Sequence, residues 1–144
     1  MKRLSFGSTF FITLFICPQL KGQDLDKLRW EKRLILLLVD NEKQPELALQ
    51  LKLLEADTDG MAERKLEVIC IAPEKMRIGI DSSRWGNNTS LYKKHHRKGS
   101  FEFILIGLDG GEKLRRQEVM PLKELYRIID SMPMRAAEMR RKNN

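Results

Sequence analysis

Residues 101–139 constrain what this chain can fold into more than any other stretch. They read FEFILIGLDGGEKLRRQEVMPLKELYRIIDSMPMRAAEM. An apolar run over 101–108 reaches Asp109-Gly110, a pair suited to a tight reversal because such turns require positive φ. Gly111 adds a candidate bulge, and the polar, alternating stretch 112–116 suits an edge strand. Pro121 then opens a helix whose Leu122, Leu125, Tyr126 and Ile129 fall on one stripe. Met132-Pro133 breaks that helix, and a short basic helix is predicted over 134–142. The segment is a β-hairpin beneath a C-terminal helix. It points to a fold class and to no reaction.

Upstream, LILLLV at 34–39 is a continuous apolar run of the kind found in strands buried on both faces, and it ends at Asp40. Pro45 suits the first turn of a helix. Leu47, Leu51 and Leu54 make one apolar stripe, and Thr58, Asp59 and Gly60 are expected to close that helix, with a polar link over 61–65. Residues 66–72 predict a second strand, stopped by Pro73. Strand, helix and strand in this order predict a right-handed crossover and a parallel pair. The pattern weakens between 74 and 100. There Met76, Ile78 and Ile80 alternate as a short extra strand or an ordered loop. Asn88 or Thr89 is expected to cap a short helix through His96, with Leu91 and Tyr92 inward and Gly99 ending it. The predicted class is α/β, in the order β-α-β-α-β-β-α, with a four-stranded mixed sheet and helices on both faces.

The 144 residues suffice for one domain. Lys2 and Arg3 precede an apolar stretch at 10–17, Pro18 ends it, and Gly22 is a small residue at a cleavage edge, which is the layout of a secretory signal. The chain therefore divides into a signal peptide over 1–22 and a domain over 23–144, and the expected location is secreted or periplasmic. An uncleaved anchor and lipid attachment at Cys17 are the alternatives for the same segment, although the apolar run is short for a bilayer span. No transmembrane segment is expected after cleavage. The formal net charge of +7 falls to +4 without Lys2, Arg3 and Lys21, which calls for no specific nucleic-acid partner. Basic residues do gather at Arg84, Lys93, Lys94, Arg97 and Lys98. That pattern fits either a solvated loop or a surface for phosphates, sulfated glycans or an anionic membrane.

Of two cysteines, Cys17 leaves with the signal, so Cys70 stands alone and neither an internal disulfide nor a CxxC pair is available. Cys70 lies in LEVICIAP and reads as an inert core thiol, since reactivity needs exposure and a lowered pKa. His95 and His96 are adjacent and point about 100° apart on a helix, so both do not serve one metal ion. Asp109-Gly110-Gly111 is flanked by strands on both sides, whereas a phosphate loop opens onto a helix. Asn87-Asn88-Thr89 and Asn88-Thr89-Ser90 are overlapping acceptors for N-glycosylation. No catalytic residue, metal set or cofactor site emerges. In the tail, Arg135 and Glu138 are spaced to pair at i, i+3. Met132, Met134 and Met139, beside Arg135, Arg140 and Arg141, form either a docked segment or a partner surface.

Three pieces resemble one family: AERKLEV at 62–68, FILIGLDGGEKL at 103–114, and IDSMPMR at 129–135 continued by Glu138-Met139. The chain is similar over residues 28–140 to domain of unknown function 4174. That domain occurs in bacterial exported proteins and in vertebrate extracellular proteins such as coiled-coil domain-containing protein 80 and the sushi-repeat-containing proteins. The resemblance implies a thioredoxin-like fold, which agrees with the element order. One departure is Leu108, where the family usually has a lysine, leaving Lys113 and Arg115 as the hairpin cations. With Arg64 and Arg135 from the other two pieces, these are the candidate binding residues. In thioredoxin-like folds the redox thiol sits after the first strand. Here that stretch, DNEKQP at 40–45, has no Cys, and HRKGSF at 96–101 lacks the proline usual before the third strand. The resemblance thus implies the fold without dithiol chemistry. The expected function is a non-enzymatic binding or interaction module, with a protein or a polyanionic cell-surface or matrix partner. The alternative is a peroxidase- or reductase-type enzyme acting through Cys70.

Overall fold

The computed structural model describes residues 24–81, 84–88 and 90–142; the segment 1–22 with Cys17, and the capping alternative Thr89, lie outside them. The described chain runs through a 3-10 helix (Asp24–Leu28), β1 (Arg33–Val39), α1 (Pro45–Glu55), α2 (Thr58–Glu63), β2 (Leu66–Ala72), β3 (Lys75–Ile78), β4 (Gly86–Asn87), α3 (Leu91–His95), β5 (Phe101–Ile106), β6 (Glu112–Arg116), α4 (Leu122–Asp130) and α5 (Pro133–Lys142). This is a mixed α/β architecture. The expected parallel pair and the expected hairpin share one sheet: β1 runs parallel to β2 and antiparallel to β5, and β5 pairs antiparallel with β6.

The sheet has six strands among the described residues, in the order β4-β3-β2-β1-β5-β6, so the expected four is corrected. The alternation at Met76 and Ile78 resolves as a strand. Pro73 and Glu74 reverse the chain, and β3 returns antiparallel along β2 with Ile71 opposite Met76. The two-residue β4 then pairs with β3. A second correction concerns the first helix. It ends at Glu55, and the residues expected to close it begin α2, because the Asp57 carboxylate accepts from the Gly60 N–H at 2.9 Å and caps a new helix. Met61, expected in a polar link, is buried there. The third strand stops at Ile106, two residues early, because the turn begins at Gly107, whose N–H reaches the Gly111 carbonyl at 2.9 Å. Gly110 supplies the positive φ, at 79°.

Period-two alternation splits the buried strands between two apolar layers. Ile35, Leu37, Val39, Val68, Cys70, Phe103 and Leu105 face one layer, completed by Leu47, Leu51 and Leu54 of α1, Met61 of α2, and Leu125 and Ile129 of α4. Each such leucine or isoleucine contributes roughly 1.5–3 kcal/mol by leaving water. Leu34, Leu36, Leu38, Ile69, Ile71, Ile104 and Ile106 face the other layer. Helices cover both faces, but unequally. Among the described residues, the helical cover of the second face is Leu91 and Tyr92 of the five-residue α3, with Leu25 and Leu28 of the 3-10 helix. This thin covering leaves polar groups and a gap against the sheet.

Candidate functional site

The stretch after β1, DNEKQP at 40–45, is held by polar cross-links. Tyr92 donates its hydroxyl to Asp40 and stacks on His96 with ring centroids 4.5 Å apart. Lys75 Nζ pairs with Glu42 at 2.6 Å, and Gln44 donates to Ser100 Oγ at 2.9 Å. Burial first, and the hydrogen bond to Asp40 second, push the Tyr92 hydroxyl well above its ordinary range, so it stays protonated. Cys70 lies mid-strand in β2 with no exposed surface. Burial raises its thiol pKa against the opposing pull of Arg77, which disfavours the nucleophilic thiolate.

The four candidate binding residues divide into three groups. Arg64 and Arg135 converge. Arg64 makes a bidentate pair with Asp130 at 3.0 and 2.7 Å, donates to the Gly60 carbonyl, and lies 4.0 Å from the Tyr126 ring centroid. Arg135, 4% exposed, donates to Asp130 at 3.2 Å, to the Glu63 carbonyl at 3.1 Å and to the Glu63 carboxylate at 3.0 Å. Burial tends to raise the Asp130 carboxyl pKa, but the bonds from Arg64 and Arg135 outweigh it and hold it below the usual range. Arg33, which the sequence did not single out, joins them, donating to the Arg64 carbonyl at 3.0 Å and to Glu138 at 3.2 Å. Arg135 and Glu138 approach at 3.6 Å, as their spacing predicts. Three guanidiniums thus meet Asp130, Glu138 and Glu63, and they tie α5 to the end of the sheet where β1 and β2 begin.

Lys113 stands apart. It pairs with Asp109 at 2.6 Å, a bond that lowers the Asp109 carboxyl, and its side chain lies over Gly107. Leu108 is buried, and its carbonyl accepts from the Trp30 N–H at 2.7 Å.

Arg115 belongs to a third group, built around Glu102, a residue missed at the sequence level. Glu102 sits in β5 opposite Leu38 and has no exposed surface. One carboxylate oxygen accepts from the backbone N–H groups of Arg97 and Lys98 at 3.1 and 2.6 Å, and the other pairs with Arg115. Arg115 also donates to the His95 carbonyl at 3.0 Å and to Glu112 at 3.0 and 2.8 Å. Gln117 Nε2 reaches the Lys98 carbonyl at 3.1 Å. A buried acid thereby clamps the basic loop after α3 onto the β5–β6 edge. Beside it lies an open groove of about 490 Å3 lined by Arg97, Lys98, Arg115, Arg116, Gln117 and Glu118, with Glu102 at its base. Of the exposed cations there, Arg97, Lys98 and Arg116, Arg97 pairs with Glu112 at 3.7 Å and Arg116 with Glu124 at 3.2 Å and Glu118 at 3.8 Å, all at the rim.

The predicted basic patch is not continuous. Lys93 and Lys94 are exposed on α3, and Arg97 and Lys98 follow them onto the groove. Arg84 instead precedes β4, at the opposite edge of the sheet, roughly 24 Å away at about 4.8 Å per strand. Of the two glycosylation acceptors, Asn87 is exposed, whereas Asn88 is buried with its Oδ1 accepting from Ser90 and Leu91. The N-cap position of α3 is Ser90, which corrects the expectation of Asn88; Ser90 makes no side-chain capping bond, and Asn88 Oδ1 instead accepts the Leu91 N–H at the start of the helix. Among the described residues no helix is long and apolar enough to cross a membrane, and no group of His, Cys, Asp and Glu is placed to hold a metal ion.

A family model described as Domain of unknown function (DUF4174) matches residues 24–138, nearly all of the described chain. No curated protein matches the sequence. The chain belongs to the DUF4174 family.

Proposed function

We propose that this DUF4174 member is an exported, non-enzymatic binding domain of thioredoxin-like type. It presents a preorganised cationic groove to a polyanionic partner at a cell surface or in an extracellular matrix. The observation that carries the reading is the clamp on Glu102. Burying an acid is costly unless it is paired and hydrogen-bonded, and here it is spent on fixing the backbone that carries Arg97 and Lys98. A solvated loop needs no such anchor. Fixed cations lose less freedom on meeting a sulfate or phosphate group than mobile ones do. The central strand order β2-β1-β5-β6, with a parallel pair followed by a hairpin, supports the thioredoxin-like reading. The competing expectation, chemistry through Cys70, has against it the complete burial of that thiol. Arg64 and Arg135, committed to Asp130 and Glu63, are read as internal supports of the tail.

The test is salt elution of the purified chain from immobilised heparin. Arg97→Glu/Arg116→Glu is expected to elute at markedly lower salt than Lys52→Glu/Arg127→Glu, which makes the same charge change on exposed residues elsewhere. Equal elution of the two double variants would reduce the interaction to net charge and refute a defined groove.

A further inference from the structure

The thinly covered face holds a second, smaller pocket between the 3-10 helix and α3, about 80 Å3 in volume. Its floor is hydrocarbon: Leu34, Leu36 and Ile106 from the sheet, with Leu25 at one side. Its rim is cationic. Arg29, Lys32 and Lys94 surround it, and among the described residues none of the three is in an ion pair. Asp26 is the one carboxylate on the lining. The His95 ring also borders the space, and its Nε2 is buried without a hydrogen-bond partner. Burial, with Lys94 and Arg115 adding to it, lowers the pKa of that imidazole, so the ring is neutral at pH 7 and offers either a single N–H or a lone pair.

An apolar floor, a cationic rim and one orphaned ring nitrogen together describe a ligand with a charged head and a short hydrocarbon body. We propose that this pocket binds a short-chain aliphatic monocarboxylate, its carboxylate at His95 Nε2 and the Arg29, Lys32 and Lys94 rim, its carbons on Leu34, Leu36 and Ile106. Inorganic phosphate is a poorer fit, because oxygens turned toward leucine side chains lose hydration without gaining donors. The volume suits about two to four carbons, given that a water occupies about 30 Å3 in the liquid. The site shares no residue with Arg97, Lys98 and Arg116, so it stands or falls apart from the polyanion reading.

The experiment is an NMR titration of the purified full-length chain with sodium butyrate at constant ionic strength, following the histidine ring signals. His95 is expected to shift saturably, and phosphate at equal concentration is expected to produce little shift. Arg29→Glu and Lys94→Glu alter exposed residues and so preserve the fold. Each is expected to weaken butyrate binding by about tenfold, the loss of one charge-assisted contact, while Arg97→Glu leaves it unchanged. A His95 signal that does not move, a shift that never saturates, phosphate acting as well as butyrate, or charge-reversed variants binding like the wild type would each overturn the proposal.

Discussion

Replacing Glu102 by alanine probes the clamp directly. The substitution removes the acceptor for two backbone N–H groups and the buried counter-ion of Arg115, whose side chain is only 16% exposed. Breaking a buried ion pair from one side costs about 3–5 kcal/mol; Arg115 keeps Glu112 and the His95 carbonyl, but the two loop N–H groups also lose their acceptor. Against a typical domain stability of about 5–15 kcal/mol, that is about a fifth of the whole or more. Glu102→Gln retains an amide oxygen for the loop N–H groups but turns an NH2 toward Arg115 if it does so, and is expected to lose about 2 kcal/mol. In urea unfolding followed by circular dichroism, the alanine variant's midpoint should fall by about 1.5–2.5 M for a slope near 2 kcal/mol/M. Hydrogen exchange at the Arg97 and Lys98 amides should accelerate in both variants. A midpoint shift below about 0.5 M for alanine, with those amides still protected, would refute the reasoning.

Arg135→Ala should destabilise the chain by about 2–4 kcal/mol, because Asp130 and the Glu63 carbonyl lose a buried donor; unchanged urea unfolding would contradict the role given to this residue. Acid should weaken the fold through Asp130 and Asp109, whose carboxyl pKa values lie below their unfolded ones. Their contribution is complete above the unfolded value near pH 4 and is lost as pH falls through the folded values. Melting temperature should ease once pH falls below the unfolded histidine value of about 6.5, because the buried His95 ring is held below it, and should decline further below about 4; Asp130→Asn should flatten the lower decline, and an identical acid profile below about pH 4 in that variant would exclude Asp130 as a cause. In a Cys17→Ser chain, Cys70 should react with a thiol reagent only as fast as the protein opens, so labelling should rise steeply in urea. Rapid labelling of the native chain would revive chemistry at this thiol.

The long elements were legible because their patterns are local. LILLLV and LEVICIA are runs that both faces of a sheet can bury, and Leu47, Leu51 and Leu54 recur at helical spacing. What escaped depends on tertiary partners. The strand β4 is two residues long and exists by pairing with β3. The break between α1 and α2 rests on one capping side chain, Asp57, which reads equally well as a surface acid. Glu102 in FEFILI has the right parity for the thin face, yet its burial depends on Arg115 and the backbone of a loop whose path the sequence does not state. In the arginine cluster the Arg135–Glu138 pair was legible from its spacing, and Arg64 and Arg135 stood out through the family resemblance, whereas Arg33 reaches Arg64 and Glu138 across 31 and 105 positions and reads as an ordinary charge. Arg84 fell into the predicted patch by proximity along the chain, and the six-strand order separates it from the others.

The claim that a clamped groove meets a polyanion is tested most directly by adding a heparin hexasaccharide to the isotopically labelled chain and mapping amide shifts. Saturable changes centred on Arg97, Lys98, Arg116 and Gln117, with the basic end of α5 at Arg140, Arg141 and Lys142 unmoved, are the predicted result. Changes centred on that end of α5, or none that saturate, would contradict the account.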